Sequence, residues 1–165
     1  MLDAPCGHGR NARLMTALGF AVVCLDNAEE RLEAILDAHH YGLWVPSSFS
    51  RLPWASVPGP LTPMRADLLR GSLPFRANSF VGIINVHFTV PDLLGEFERL
   101  LIPGGFLFLE TVGGQGRNYH QLPAPGELRR LLPRTLRLEE YRERKVGPAD
   151  AGAVAVKLFA VKQAR

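Results

Sequence analysis

Near the start of the chain stands Gly7-His8-Gly9-Arg10-Asn11-Ala12, a glycine-x-glycine-x-x-alanine turn. Glycines so spaced let backbone approach a ligand closely, and the residues from Arg10 to Leu18 have helical composition, stopped by Gly19. A continuous apolar run follows, Phe20-Ala21-Val22-Val23-Cys24-Leu25, closed by Asp26 seventeen positions beyond Gly9. Its length and branching are those of a strand buried on both faces, as in parallel sheets. A turn that opens a helix, then an inner strand ending in an acid, commits the chain to the α/β class. A carboxylate at that strand end can accept hydrogen bonds from two sugar hydroxyls. Turn and acid together point to a nucleoside-bearing ligand without saying which one. The turn alone would indicate only a tight strand-to-helix connection.

The alternation continues. Asn27 is expected to cap a helix running to about His39, with Glu29 and Glu30 in its favourable first turn. Residues 42–63 carry five prolines among Trp44, Phe49 and Trp54 and are expected to be a packed loop or a lid over the site. Short strands are expected at Met64 to Asp67, Val81 to Val86 and Phe106 to Glu110. Helices are expected at Asp92 to Leu101 and Pro125 to Leu132, and an antiparallel pair at Thr135 to Tyr141 and Ala153 to Val161. The expected fold is a doubly wound, mostly parallel seven-stranded sheet with a C-terminal antiparallel hairpin.

A length of 165 residues suits one domain, residues 1–165. No apolar run approaches the roughly 20 residues that cross a bilayer, and no leader pattern is present, so a cytoplasmic protein without a membrane partner is expected. A formal charge of +3 without a Lys/Arg run gives no basis for a nucleic-acid partner. The two cysteines have no metal-ligand spacing, so no metal is expected. Cys24 is expected in the core and Cys6, in the glycine-rich loop, partly exposed. The alternating charges from Arg129 to Lys145 fit a solvated helix and edge-strand face.

Leu2-Asp3-Ala4-Pro5-Cys6-Gly7-His8-Gly9-Arg10-Asn11 resembles the first motif of class I S-adenosylmethionine-dependent methyltransferases. Nicotinamide-binding loops carry an apolar residue where Asp3 stands. Ala66-Asp67-Leu68 resembles the third motif. Leu73-Pro74-Phe75 with Asn78-Ser79-Phe80 resembles the stretch before strand four, although Val81 replaces the usual Asp. Leu100-Leu101-Ile102-Pro103-Gly104-Gly105-Phe106-Leu107 resembles the turn into strand five. Gly9-Arg10-Asn11 and the segment from Gly116 to Leu128 are similar to tellurite-resistance-type small-molecule methyltransferases. The resemblance implies S-adenosylmethionine as cofactor, held by Asp3, Cys6, Gly7, Gly9, Asn11, Asp26, Asn27, Asp67, Leu68 and Asn85. In that reading Asp3 meets the methionyl amino group, Asp26 the ribose and Asp67 the adenine amino group. It also implies that a helix and part of strand one would precede Asp3. An open pocket follows, which the 42–63 loop or the second subunit of a homodimer would cover.

Methyl transfer from a sulfonium asks the protein mainly for position and exclusion of water, with a base only where the acceptor must lose a proton. Candidates follow strands four and five: His87, then Arg117, Tyr119 and His120. Asn85-Val86-His87-Phe88 is not the Asn-Pro-Pro-aromatic motif of amino methylation on DNA, no Pro-Cys pair supports cytosine chemistry, and two thiols are too few for arsenic. A small-molecule acceptor remains. The alternatives are a module that binds the cofactor without transfer and a nicotinamide-dependent oxidoreductase.

Overall fold

The computed structural model describes residues 1–40, 59–70, 72–88, 91–111, 122–148 and 152–164. It divides into two compact units, Met1–Gly71 and Ser72–Arg165. The 42–63 segment expected to form a packed loop or lid lies mostly outside the described residues.

In the first unit, β1 is Leu2–Asp3, α1 is Arg10–Ala17, β2 is Val22–Asp26, α2 is Glu29–His40 and β3 is Leu61–Arg65. The strands lie parallel in the order β3-β2-β1, with Leu2 opposite Val23 and Val22 opposite Leu61. The apolar run is shorter as a strand than the sequence suggests: it begins at Val22, and Phe20 is exposed. Its inner residues Cys24 and Leu25 are fully buried with Leu2, Ala12 and Ile35. Each large apolar side chain so placed contributes roughly 1.5–3 kcal/mol.

Two local expectations are corrected. The third strand was expected at Met64 to Asp67 but spans Leu61–Arg65, with Pro63 inside it opposite Cys24. A proline cannot donate to a ladder, yet an edge strand tolerates it. Asn27 stands one place too early to cap α2: the helix begins at Glu29, with the Ala28 carbonyl accepting the Leu32 N–H, and Asp26 Oδ1 accepts the Ala28 N–H at 3.0 Å in the turn before it.

In the second unit, β4 is Phe80–Val86, α3 is Leu93–Leu100, β5 is Leu101–Glu110, α4 is Glu127–Leu131, β6 is Leu136–Val146 and β7 is Ala153–Lys162. β4 and β5 are parallel, β5 and β7 antiparallel, and β7 and β6 antiparallel. Seven strands among the described residues, helices between the parallel ones and an antiparallel C-terminal pair make this a Rossmann-like α/β fold. The buried face of α3 presents Leu93, Leu94, Phe97 and Leu100. Arg99 on α3 donates to the carbonyls of Phe75 and Leu73 and to Glu96, which in turn accepts the Leu73 N–H, so the segment before β4 is tied to this helix. Lys162 donates to the carbonyls of Glu98 and Leu101 at 2.7 and 2.8 Å, supplying positive charge where the α3 dipole is negative. β6 carries the alternating charges on a sheet edge, as the sequence indicates. No helix among the described residues is long and apolar enough to cross a membrane.

Candidate functional site

The N-cap of α1 is Gly9, which has no side chain to satisfy the helix's first N–H groups. Asp3 does this from the end of β1, accepting the Ala12 N–H on Oδ2 at 3.0 Å. The Asp3 side chain is 1% exposed, and its other oxygen, Oδ1, is buried without a hydrogen bond. Burial pushes this carboxyl up to about 7, against the pull of the Ala12 N–H and the nearby Asn11 side chain; the charge of Asp26 adds to the rise. A buried acceptor with a free oxygen is a place prepared for a donor, and a cationic donor would suit it best.

Asp26, at the tip of β2, is 2% exposed. Its Oδ2 accepts the Gly7 N–H at 2.9 Å, and its Oδ1 accepts the Ala28 N–H and stands 3.5 Å from Arg31. The Cys6 N–H donates to the Leu25 carbonyl at 2.8 Å. Two acceptors at the end of β2, Asp26 Oδ2 and the Leu25 carbonyl, therefore hold the glycine turn against the strand end. An ionised carboxylate offers about four lone-pair positions, so Asp26 retains capacity for further donors after these bonds.

The two glycines do different work. A Cβ on Gly7 would meet nothing within 4 Å, so its bare backbone faces open space. A Cβ on Gly9 would fall 2.7 Å from the Ile35 side chain, so this glycine lets α2 pack against the turn. Both have positive φ, +52° and +69°, which side-chain-bearing residues rarely adopt. Cys6, expected partly exposed, is buried; its N–H bond to β2 draws the loop inward. Hydrogen bonding to Cys6, then burial, pushes the Cys24 thiol far up, so Cys24 is an inert neutral thiol.

Beyond β3, the Ala66 N–H donates to the Asp26 carbonyl at 3.0 Å and brings the third motif beside the second acid. Asp67 is half-buried; its Oδ1 accepts the Leu69 N–H, and Arg70 lies 3.3 Å from Oδ2, while Leu68 is buried. Asp3, Cys6, Gly7, Gly9, Asn11, Asp26, Asn27, Asp67 and Leu68 all belong to the first unit. Arg31 and Ile35 are partners the sequence reading missed. Their placement in the first turn of α2 and one turn later could have suggested them, since residues four apart share a helix face.

In the second unit, Asn85 is buried near the end of β4. His87 is exposed, has φ +71°, and donates its N–H to the Glu110 carbonyl at 2.9 Å. A residue other than glycine in that backbone region is strained, and such strain gathers at functional positions. Arg117, Tyr119 and His120 lie outside the described residues.

The donor set fits a nucleoside that carries a cationic amino group. Asp3 Oδ1 waits for the cation, Gly7 leaves the backbone bare, and Asp26 can accept hydroxyls.

Comparison with known proteins agrees. The methyltransferase domain family model matches residues 2–109. No curated protein matches the chain. Among solved structures, a protein described as a SAM-dependent methyltransferase from Methanosarcina mazei superposes with a TM-score of 0.70 at 19% identity, over 99% of this chain and 92% of its own. TehB from Haemophilus influenzae gives 0.67 at 16% identity, over 98% of this chain and 57% of its own. Geranyl diphosphate methyltransferase, in complex with SAM, gives 0.67 at 15% identity, over 98% and 77%. At these identities the structures bear on the fold alone. The family match covers the cofactor motifs in order from β1 to β5, and with the site just described it places the chain: it belongs to the methyltransferase domain family and is a class I, S-adenosylmethionine-dependent enzyme.

Proposed function

We propose that the chain transfers the methyl group of S-adenosylmethionine to a small-molecule acceptor. The observation that carries the reading is the free, buried Oδ1 of Asp3, in the same unit as the bare backbone of Gly7 and the Asp26 carboxylate that holds it. Asp3 would hold the methionyl amino group, Asp26 the ribose hydroxyls, and Asp67 with the Leu68 backbone the adenine edge. Cys6, Gly9, Asn11, Asn27 and Asn85 would complete the surround. The cofactor, when bound, supplies a methyl group already activated on a sulfonium. The protein's own task is then to hold the acceptor in line and keep water out.

His87 is the candidate base in the second unit, for an acceptor that must lose a proton. Its exposed ring and fixed, strained backbone suit a side chain that meets a mobile ligand. Arg117, Tyr119 and His120 remain candidates for acceptor contact, with Arg117 the natural partner of an oxyanion. A small-molecule acceptor is favoured by the sequence's lack of base-methylation motifs. One structural neighbour, geranyl diphosphate methyltransferase, is named for a small acceptor. Residues 1–165 would act as one domain.

Calorimetry with S-adenosylmethionine and S-adenosylhomocysteine tests the site, and mass-spectrometric turnover across a panel of small acceptors tests transfer. Micromolar binding of both nucleosides with methylation of at least one acceptor is expected. Absence of nucleoside binding would remove the proposal.

A further inference from the structure

The second unit contains a cavity of about 470 Å³ at the C-terminal end of β5. That volume is within the range that holds small organic ligands. Its position matters, because doubly wound sheets bind ligands outside the carboxyl ends of their strands. The lining comes from three strands in register. Glu110 on β5 lies opposite Lys157 on β7, Lys157 lies opposite Arg142 on β6, and Arg144 lies opposite Ala155. Residues two apart on a strand share a face, so these five side chains stand on one side of the sheet. Ala155, the smallest of them, leaves space between Arg144 and Lys157.

The charges are not spent equally. Arg142 pairs with Glu140 at 2.8 Å. Glu143, which also lines the cavity, accepts the Gly126 N–H at 2.7 Å and the Tyr141 hydroxyl. Glu110 and Lys157 are direct cross-strand neighbours, yet among the described residues neither forms an ion pair. The Lys157 ammonium stands instead over the Phe108 ring, 5.5 Å from its centre. Arg144 likewise has no acidic partner among the described residues. One carboxylate and two cations therefore line an open cavity without an ion-pair partner among the described residues. The backbone of Glu110 also receives the N–H of His87, so the candidate base begins one hydrogen bond from the cavity wall.

We propose that this cleft anchors the methyl acceptor, and that the acceptor is a small zwitterion of amino-acid type. Its carboxylate would lie on Arg144 and Lys157, and its ammonium on Glu110. The proposal rests on the methyltransferase reading, which gives the chain an acceptor to hold.

Three fluorinated probes separate the charges: 4-fluorophenylalanine, its methyl ester, which lacks the carboxylate, and its N-acetyl derivative, which lacks the ammonium. Fluorine NMR titration of each into the full chain reads binding, and S-adenosylhomocysteine affinity is measured alongside. The zwitterion is expected to bind at least fivefold tighter than either derivative. The double variant Arg144→Gln/Lys157→Gln, at exposed positions, should lose at least tenfold for the zwitterion and the N-acetyl probe. Glu110→Gln should bring the zwitterion down to the N-acetyl probe. S-adenosylhomocysteine should bind all variants within twofold of the parent. Equal binding of the three probes, or variants that bind as the parent does, would overturn the cleft proposal while leaving the cofactor reading standing. Expected probe behaviour without any S-adenosylhomocysteine binding would overturn the methyltransferase reading and leave a zwitterion site.

Discussion

The acids of the first unit and the charges of the second are used in opposite ways. Asp3 and Asp26 are buried at the ends of β1 and β2, and each already accepts backbone N–H groups of the structure it organises. Arg144, Lys157 and Glu110 stand on a sheet face with no ion-pair partner among the described residues. A buried carboxylate that shapes a turn cannot change without the turn changing, so its ligand is fixed with the fold. An exposed charge on a strand can change at little cost to the fold, and the ligand it meets can differ between relatives. The contrast teaches that a common cofactor and a variable acceptor need different physical supports.

The largest effect should come from Asp26→Ala. It strands the Gly7 and Ala28 N–H groups at a buried position, and bonds to a charged acceptor are worth roughly 1.5–3 kcal/mol each. A loss of about 3–5 kcal/mol in denaturant unfolding is expected, with cofactor affinity falling in step. If Asp26→Ala unfolds at the parent's midpoint, the carboxylate does not organise the turn and the comparison breaks. Next is Gly9→Ala, whose Cβ would press on Ile35 at 2.7 Å in a left-handed backbone. Overpacking and backbone strain together predict a loss of about 2–4 kcal/mol. Gly7→Ala has open space and should cost only about 1–2 kcal/mol of strain, yet weaken the cofactor more than it weakens the fold. The pair separates packing from ligand approach.

Asp3 makes the first unit sensitive to pH. Its folded value is raised to about 7 from 3.8, so the folded state holds this proton more tightly than the unfolded chain does. The contribution to stability is complete below pH 3.8 and is lost as pH rises through 7. Without cofactor, the parent should lose on the order of 2 kcal/mol between pH 5 and pH 7 relative to Asp3→Asn. Cofactor binding should run the other way. A cationic amino group at Oδ1 stabilises the carboxylate, so affinity should weaken as pH falls through about 7 and stay flat in Asp3→Asn. Parallel pH profiles for the parent and Asp3→Asn would show that Asp3 does not titrate in this range.

Much of the fold was legible because buried strands and capped helices leave local marks. The run around Cys24 and Leu25, the α3 stripe of Leu93, Leu94, Phe97 and Leu100, and the C-terminal hairpin were each readable from period and length. Pro63 misled because a breaker in sequence is tolerable on an edge strand, and sheet order is not a local property. Asn27 misled because the helix starts one residue later than its capping pattern implies, and Asp26 closes the turn before it through the Ala28 N–H. The glycine turn and its acids were legible as a set, but the free oxygen of Asp3 depends on packing that no motif encodes. The β5-β7-β6 cleft was invisible because Glu110, Lys157 and Arg144 meet only through strand register.

Asp67 tests whether burial or mere membership of the first unit decides how an acid behaves. It belongs to the same unit as Asp3 and Asp26, but its carboxylate is half-exposed, holds one turn N–H from Leu69 at 2.9 Å, and lies beside the exposed Arg70. A single bond at a wet turn and a solvent-screened ion pair are together worth at most about 1 kcal/mol. Asp67→Ala should therefore unfold within about 1 kcal/mol of the parent, unlike Asp26→Ala. If its second oxygen meets the adenine edge, cofactor affinity should still fall several-fold, which calorimetry would read. A stability loss matching that of Asp26→Ala would mean that burial is not what sets the two acids apart. An unchanged cofactor affinity would confine the nucleoside contacts to the acids at the ends of β1 and β2.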